Sequence, residues 1–241
     1  MIIIPMAGLS RRFTEAGYTQ PKYMLPLHGK PVFDHAIESF STYFASHPFV
    51  LVVRDVMDTP AFVTERCKAL GVADFQVIAL DGPTDGQAET VQLGLDRGDF
   101  GDESALTIFN IDTFRPGFTF PQATWNHNSA GYLEVFHGSG ENWSYVKPAP
   151  EGDHLASEVA EKRPISDLCC TGLYHFARAG DFRAALKAER AAPSAKELFV
   201  APLYNHLIAQ GGAVHFQKIE PTEVIFCGIP AEYEALLAEK N

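Results

Sequence analysis

Four short runs, at residues 2–4, 49–53, 75–80 and 105–111, constrain this chain more than any other feature. The first two contain no polar residue, which suits strands buried on both faces. Between them, Val32, Phe33, Ala36, Ile37, Phe40 and Phe44 recur at helical spacing until His47-Pro48 breaks the pattern. After the second run, Thr59-Pro60 predicts a helix start, with Thr59 as N-cap and Pro60 at the first position, and Gly71 predicts its end. A further helix is predicted over 88–96. This strand–helix alternation implies a parallel sheet with helices on both faces. In such sheets ligands sit beyond the carboxyl ends of the strands. The loops that follow the runs are therefore where function is to be sought.

The first of these loops is basic. Pro5 and Gly8 end the first run, a loop with Gly8 and Ser10 follows, and Arg11 and Arg12 lie at its far side, with Lys22 ten residues on. A strand feeding a small-residue loop brings backbone N–H groups close to a phosphate, and Arg12 and Lys22 add fixed cations. The whole chain of 241 residues carries a net charge of -11, yet residues 1–35 hold Arg11, Arg12, Lys22 and Lys30 against only Glu15 and Asp34. A basic island in an acidic protein suits a small polyphosphate focused into one cleft. Nucleic acid would need a broad basic face. Asp112, at the end of the fourth run, is expected to face the same cleft. Mg²⁺ binds one or two carboxylates together with phosphate oxygens and water, so Asp112 is a natural ligand.

The second half changes character. Strands are expected at 132–136, 145–147 and 156–162, separated by turns rich in Gly, Pro, Asn and Asp, and again at 167–176 and 213–219. Helices are expected at 180–190 and 196–210 and at the C-terminus. No run approaches the ~20 apolar residues of a membrane span. The apolar first nine residues follow no basic segment, so the expectation is a cytoplasmic protein without a membrane partner. Cys67, Cys169, Cys170 and Cys227 form no C-x-x-C pair, which points away from zinc and from a disulfide framework.

The ordered set of Gly8, Arg12, Pro21-Lys22 and Leu25-Pro26-Leu27-x-Gly29-Lys30-Pro31 resembles the N-terminal signature of nucleotidyltransferases that activate sugar phosphates and related small phosphates. Thr171-Gly172-Leu173-Tyr174-x-Phe176 and residues 197–205 are similar to later segments of the same family. The resemblance implies an α/β, Rossmann-like three-layer sandwich: a mostly parallel mixed sheet, helices on both faces and an antiparallel acceptor-side extension. It implies one domain over 1–241, with a nucleotide-binding half at about 1–117 and an acceptor-binding half at about 118–241. Arg12, Lys22 and Asp112 would be catalytic. Ala7, Gly8, Leu9, Ser10, Arg11, Gly86 and Gln87 would hold the nucleoside triphosphate, although the Gly86-Gln87 loop also reads as one that merely caps a helix. Tyr145, Glu161, Lys162, Thr171 and Gly172 would receive a small phosphorylated acceptor, with glycine leaving room for it. The cofactor would be Mg²⁺, and the product a precursor of cell-surface polysaccharide.

Two departures from the pattern matter. Ser10 stands where a second glycine is usual. Near the C-terminus, Phe226 and Cys227 precede Gly228 where relatives carry a second metal aspartate. Either Glu223 serves as that ligand, or one carboxylate suffices, or activity is impaired. Two other readings stay open. One is a glycosyltransferase of the same fold, which usually has two aspartates where Asn110-Ile111-Asp112 has one. The other is a nucleotide-sensing relative without turnover.

Overall fold

The computed structural model describes residues 1–121, 129–150 and 154–239. The four runs form β1 (Ile2–Met6), β2 (Phe49–Arg54), β3 (Phe75–Leu80) and β4 (Leu106–Phe109). They lie parallel in the order β4-β1-β2-β3. Around them pack α1 (Arg11–Glu15), α2 (Val32–Glu38), α3 (Thr59–Leu70), α4 (Gln87–Arg97) and α5 (Ala179–Ala191).

Strand alternation divides the core. Ile3 faces one side, in one cluster with Val91 and Leu95 of α4 and Phe182 and Leu186 of α5. Ile2 and Ile4 face the other, with Phe33 and Ile37 of α2 and Val63 of α3. Both faces of the sheet are covered, as strands without polar residues require.

The sheet continues past β4 with β5 (Ser129–His137), β6 (Ser144–Pro148), β7 (Ala156–Glu161), β8 (Leu168–Phe176) and β9 (Ala213–Ile219). β8 runs antiparallel to β4 and pairs on its other side with β5, and at Cys169 with β6. β7 adds antiparallel to β6, and β9 parallel to β5. The chain closes with α6 (Tyr204–Ala209) and α7 (Pro230–Ala238). This is the α/β, Rossmann-like mixed sheet that the sequence implied, with its antiparallel extension.

A buried ion pair stiffens the extension. Arg115 donates from Nε and Nη2 to the two oxygens of Glu134, at 2.8 and 3.0 Å. Arg115 Nη1 donates to the Glu223 carbonyl, and Thr171 Oγ1 donates to Glu134 at 3.0 Å. Burial pushes the Glu134 carboxyl upward, and Arg115 opposes that shift.

Two local expectations fail. Thr59 is the first residue of α3 rather than its cap. Asp58, with φ +55°, precedes it, and the Thr59 hydroxyl donates back to the Val56 carbonyl at 2.6 Å. The helix expected at 196–210 is α6 alone, after a short turn at Ala201–Leu203. Residues 196–200 cannot coil, because Leu198 is bonded elsewhere. Its N–H donates to the Asp85 carbonyl, and its carbonyl accepts from the Ala88 N–H, both at 2.9 Å.

Candidate active site

After β1 the backbone crosses the carboxyl edge of the sheet as the loop Ala7–Leu9–Ser10. A Cβ added at Gly8 would meet nothing within 4 Å, so the loop lies open to a ligand. Ser10 adopts φ +49°, a left-handed conformation uncommon outside glycine. The backbone thus keeps a shape the glycine would have made easy, although the glycine is gone. Arg11 and Arg12 follow in α1, both exposed. Phe13, 1% exposed, packs edge-on to Tyr18 and Tyr233 and anchors that short helix.

Lys22 reaches across to Asp112, and its ammonium donates to Oδ2. The C-terminal segment is bound to the same place. Ile225 and Phe226 pair with Phe114 and Thr113, and the Cys227 N–H donates to the Asp112 carbonyl at 2.8 Å. This sets Gly228 over the carboxylate. A Cβ there would stand 3.1 Å from Asp112 Oδ2 and 3.6 Å from Glu232 Oε2. Glu232, in the first turn of α7, accepts from the Gly228 and Ile229 N–H groups at 2.7 and 3.2 Å. The sequence reading missed it, yet a glutamate two residues after Pro230 is the usual sign of a carboxylate folded back over a helix start. The Cys227 thiol, buried beside Asp112, is pushed up to about 12, first by burial and then by that carboxylate.

The glycines of the other walls serve the protein's own packing. A Cβ on Gly86 would stand 2.5 Å from the Leu198 carbonyl oxygen. The close approach the structure shows there is to Leu198. On Gly172 a Cβ would stand 2.4 Å from the Asn110 amide, so this glycine makes room for Asn110. Gly172 has φ +96° and lies where the β5–β8 register breaks. Asn110 in turn accepts a hydrogen bond from the Gln87 amide. Gly172, Asn110 and Gln87 form one relay from β8 to the start of α4.

One cleft of about 870 Å³ brings together Ala7, Gly8, Leu9, Ser10, Arg11, Arg12, Lys22, Gly86, Gln87, Asp112, Glu161, Thr171 and Gly172. Asn142, Trp143, Tyr174, Phe199 and Phe226 also line it. Asn142 accepts from Arg12 at 3.4 Å, linking opposite walls.

Three expected residues are not among those that line it. Tyr145 is fully buried, and its hydroxyl donates to the Gly140 carbonyl. Its neighbour Ser144 lines the cleft instead, because successive strand side chains face opposite ways. Glu223 lies in a separate hollow with Arg115 and Glu134, its carboxylate accepting from the Glu220 N–H at 2.9 Å, so it is no ligand partner for Asp112. Lys162 stands at the lip, past the end of β7, with its ammonium 4.0 Å from Glu161.

Glu161 accepts from the Ser144 hydroxyl. Burial raises its carboxyl above the usual 4.5, opposed by Ser144 and Lys162. A raised acid favours its protonated form in the folded protein, so at neutral pH the charge costs stability, and that cost fades as pH falls through the raised value toward the ordinary carboxylate range. Glu161→Gln is therefore expected to melt higher than the wild type at pH 7, with the difference closing near pH 4. Melting curves across that range check it.

A bare loop, two cations and a carboxylate stand together at the carboxyl edge of a parallel sheet, where ligands of such folds sit. The chain belongs to the MobA-like NTP transferase family, whose domain model matches residues 2–129, and it is a nucleotidyltransferase. It is similar to a nucleoside-diphosphate-sugar pyrophosphorylase from Vibrio cholerae RC9, with 50% identity over 99% of this chain and 100% of that one, at a TM-score of 0.94. The fold is shared with an inositol-1-phosphate CTP transferase from T. maritima (14% identity, 98% of this chain and 93% of that one, TM-score 0.73). It is also shared with a UDP-glucose pyrophosphorylase from Acinetobacter baumanii (14% identity, 98% of this chain and 91% of that one, TM-score 0.69). Among curated proteins no match is found. Among the described residues no helix is long and apolar enough to cross a membrane.

Proposed function

We propose that this nucleotidyltransferase moves a nucleoside monophosphate from a triphosphate to a small phosphorylated acceptor of the sugar-1-phosphate kind, with Mg²⁺, and releases pyrophosphate. Residues 1–117 would hold the triphosphate and 118–241 the acceptor, in a cytoplasmic step toward cell-surface polysaccharide. The observation that carries this reading is the Lys22–Asp112 pair in one cleft that Arg12 and Glu161 also line. The sugar-nucleotide names of the relatives support the acceptor class.

The residues fit Mg²⁺. Asp112 and Glu232 present oxygens to the space that the bare Gly228 leaves, and one or two carboxylates are what this ion completes with phosphate oxygens and water. When bound, the ion would supply positive charge at the phosphates. An acceptor phosphate is already anionic near neutral pH, its second pKa being about 6, so no general base is required. One of its oxygens attacks the α-phosphorus in line. The new P–O bond forms as the bond to the β-phosphate oxygen breaks, and pyrophosphate leaves with that electron pair. The chain's task is positioning and cancellation of charge. Arg12 holds the departing phosphates, Lys22 turns from Asp112 to the α-phosphate, and Lys162 meets the acceptor phosphate.

Pyrophosphate release, assayed with each triphosphate against a panel of phosphorylated sugars and alcohols, tests the reading. No release with any pair would end it. In the same assay Glu223→Gln should stay within about twofold of the wild type, as a change remote from the site should. Glu232→Gln should raise the Mg²⁺ concentration needed for half-maximal rate.

A further inference from the structure

Lys162 is held by an unexpected partner. Its ammonium sits over the Phe199 ring, 4.6 Å from the centroid. Glu161 Oε1 is 4.0 Å from the same ammonium, too far for a hydrogen bond. The Lys162 backbone is itself unusual. It takes φ +53°, and its N–H donates to the Trp143 carbonyl at 2.9 Å. The peptide is fixed while the side chain stays half-exposed. Phe199 lines the cleft from the irregular segment between α5 and the turn at Ala201–Leu203. Leu198, the residue before it, is bonded on both sides to Asp85 and Ala88 at the start of α4. The ring's backbone is thus tied to the start of α4, while the lysine lies past the end of β7.

We infer that Phe199 is a positioning residue: its ring keeps the Lys162 ammonium at the lip of the cleft, aimed at the phosphate of the incoming acceptor. This rests on the nucleotidyl-transfer reading and adds to it the residue that aims the cation. A free lysine spreads over many rotamers, and fixing one side chain for a single phosphate is costly. A ring face at an exposed site biases the population about two- to fivefold. The bias acts before the acceptor binds, so it appears in acceptor affinity rather than in the chemical step. Because Leu198 ties the ring to the loop over Gly86, a shift of that loop would be felt at Lys162.

The test compares the full-length wild type with Phe199→Leu and Phe199→Tyr, after melting curves have shown all three folded. Phe199→Leu should raise the acceptor KM about two- to fivefold, with kcat and the triphosphate KM unchanged, and Phe199→Tyr should restore the wild-type value. A second readout needs no turnover. In protein labelled with ¹³C-lysine, the Lys162 ε-methylene resonance, assigned by its absence from Lys162→Gln, should be shifted upfield in the wild type and in Phe199→Tyr. It should return to the free-lysine position in Phe199→Leu. An unshifted wild-type resonance overturns the inference. So does an unchanged acceptor KM in Phe199→Leu, a joint rise of both KM values, or failure of tyrosine to rescue. If Lys162→Ala loses acceptor affinity while Phe199→Leu does not, this inference falls and the transfer reading stands. If the wild type transfers nothing, the transfer reading falls and takes the acceptor role of Phe199 with it.

Discussion

Asp112→Asn is expected to cut turnover by about 10³-fold while the protein keeps its fold. Loss of one preorganised charge-stabilising group typically costs about 10²- to 10³-fold in rate. Asp112 has two such duties in the proposed reaction, binding the metal and holding Lys22 in the cleft before the triphosphate arrives. The fold should tolerate the change. The Asp112 and Lys22 side chains keep 21% and 19% of their exposure, asparagine still accepts from the ammonium, and no cavity opens in either core cluster. Arg12→Ala should behave likewise. Its guanidinium is exposed and donates to Asn142 at 3.4 Å, so little packing is lost. Turnover under saturating Mg²⁺ and melting without ligand are measured on the same samples. Near-normal turnover in either variant would refute the catalytic assignment. Loss that merely tracks a collapsed melting temperature would make the residue structural.

The largest effect on stability should come from Arg115→Ala. The Arg115 and Glu134 side chains are 7% and 3% exposed. Removing one partner of a buried pair leaves an uncompensated charge and costs about 3–5 kcal/mol. For a chain of this size that is a fall in melting temperature of about 10 °C. The damage should reach the cleft. Glu134 holds Thr171, and the Thr171 carbonyl accepts from Thr113 at 3.0 Å, next to the Gly172 bulge. The acceptor KM should therefore rise more than the triphosphate KM. Arg115→Met combined with Glu134→Leu should recover much of the stability, since apolar residues of similar volume often replace a buried pair without loss. If the double variant is no better than Arg115→Ala, charge burial is not the cause.

The periodic parts of the fold were legible because their cause is local. Residues 2–4 and 49–53 are apolar throughout because both faces of their strands are covered, and 32–37 recur at helical spacing because one side of α2 faces the sheet. Arg12, Lys22 and Asp112 were legible as a set because each follows a strand or loop at the same edge. What was not legible had distant causes. Nothing near Gly86 indicates that Leu198 lies against it, nor near Gly172 that Asn110 needs the space. Leu198 also keeps 196–200 out of the helix that their neighbours favour. Tyr145 failed by parity, since a shift of one residue along a strand exchanges the two faces. Glu232 was not legible as a neighbour of Asp112, because only the fold brings the start of α7 to the space in front of that carboxylate.

β4 has β1 on one side and, on the other, β8, which pairs Leu173 with Phe109. During synthesis the chain emerges N-terminus first, so β1 to β4 are made long before β8. Until then one side of β4 is bare, with Leu106, Ile108 and Phe109, all fully buried in the finished molecule, beside unpaired peptide groups. A hydrophobic edge in that state recruits strands from other nascent chains. The region matched by the family's domain model, residues 2–129, also ends before β8. Expressed as a fragment it would carry the phosphate loop and Asp112 together with an open, self-adhesive edge, and it should collect in the insoluble fraction. Yield of the whole protein should accordingly depend on translation rate and on chaperones that occupy exposed strands.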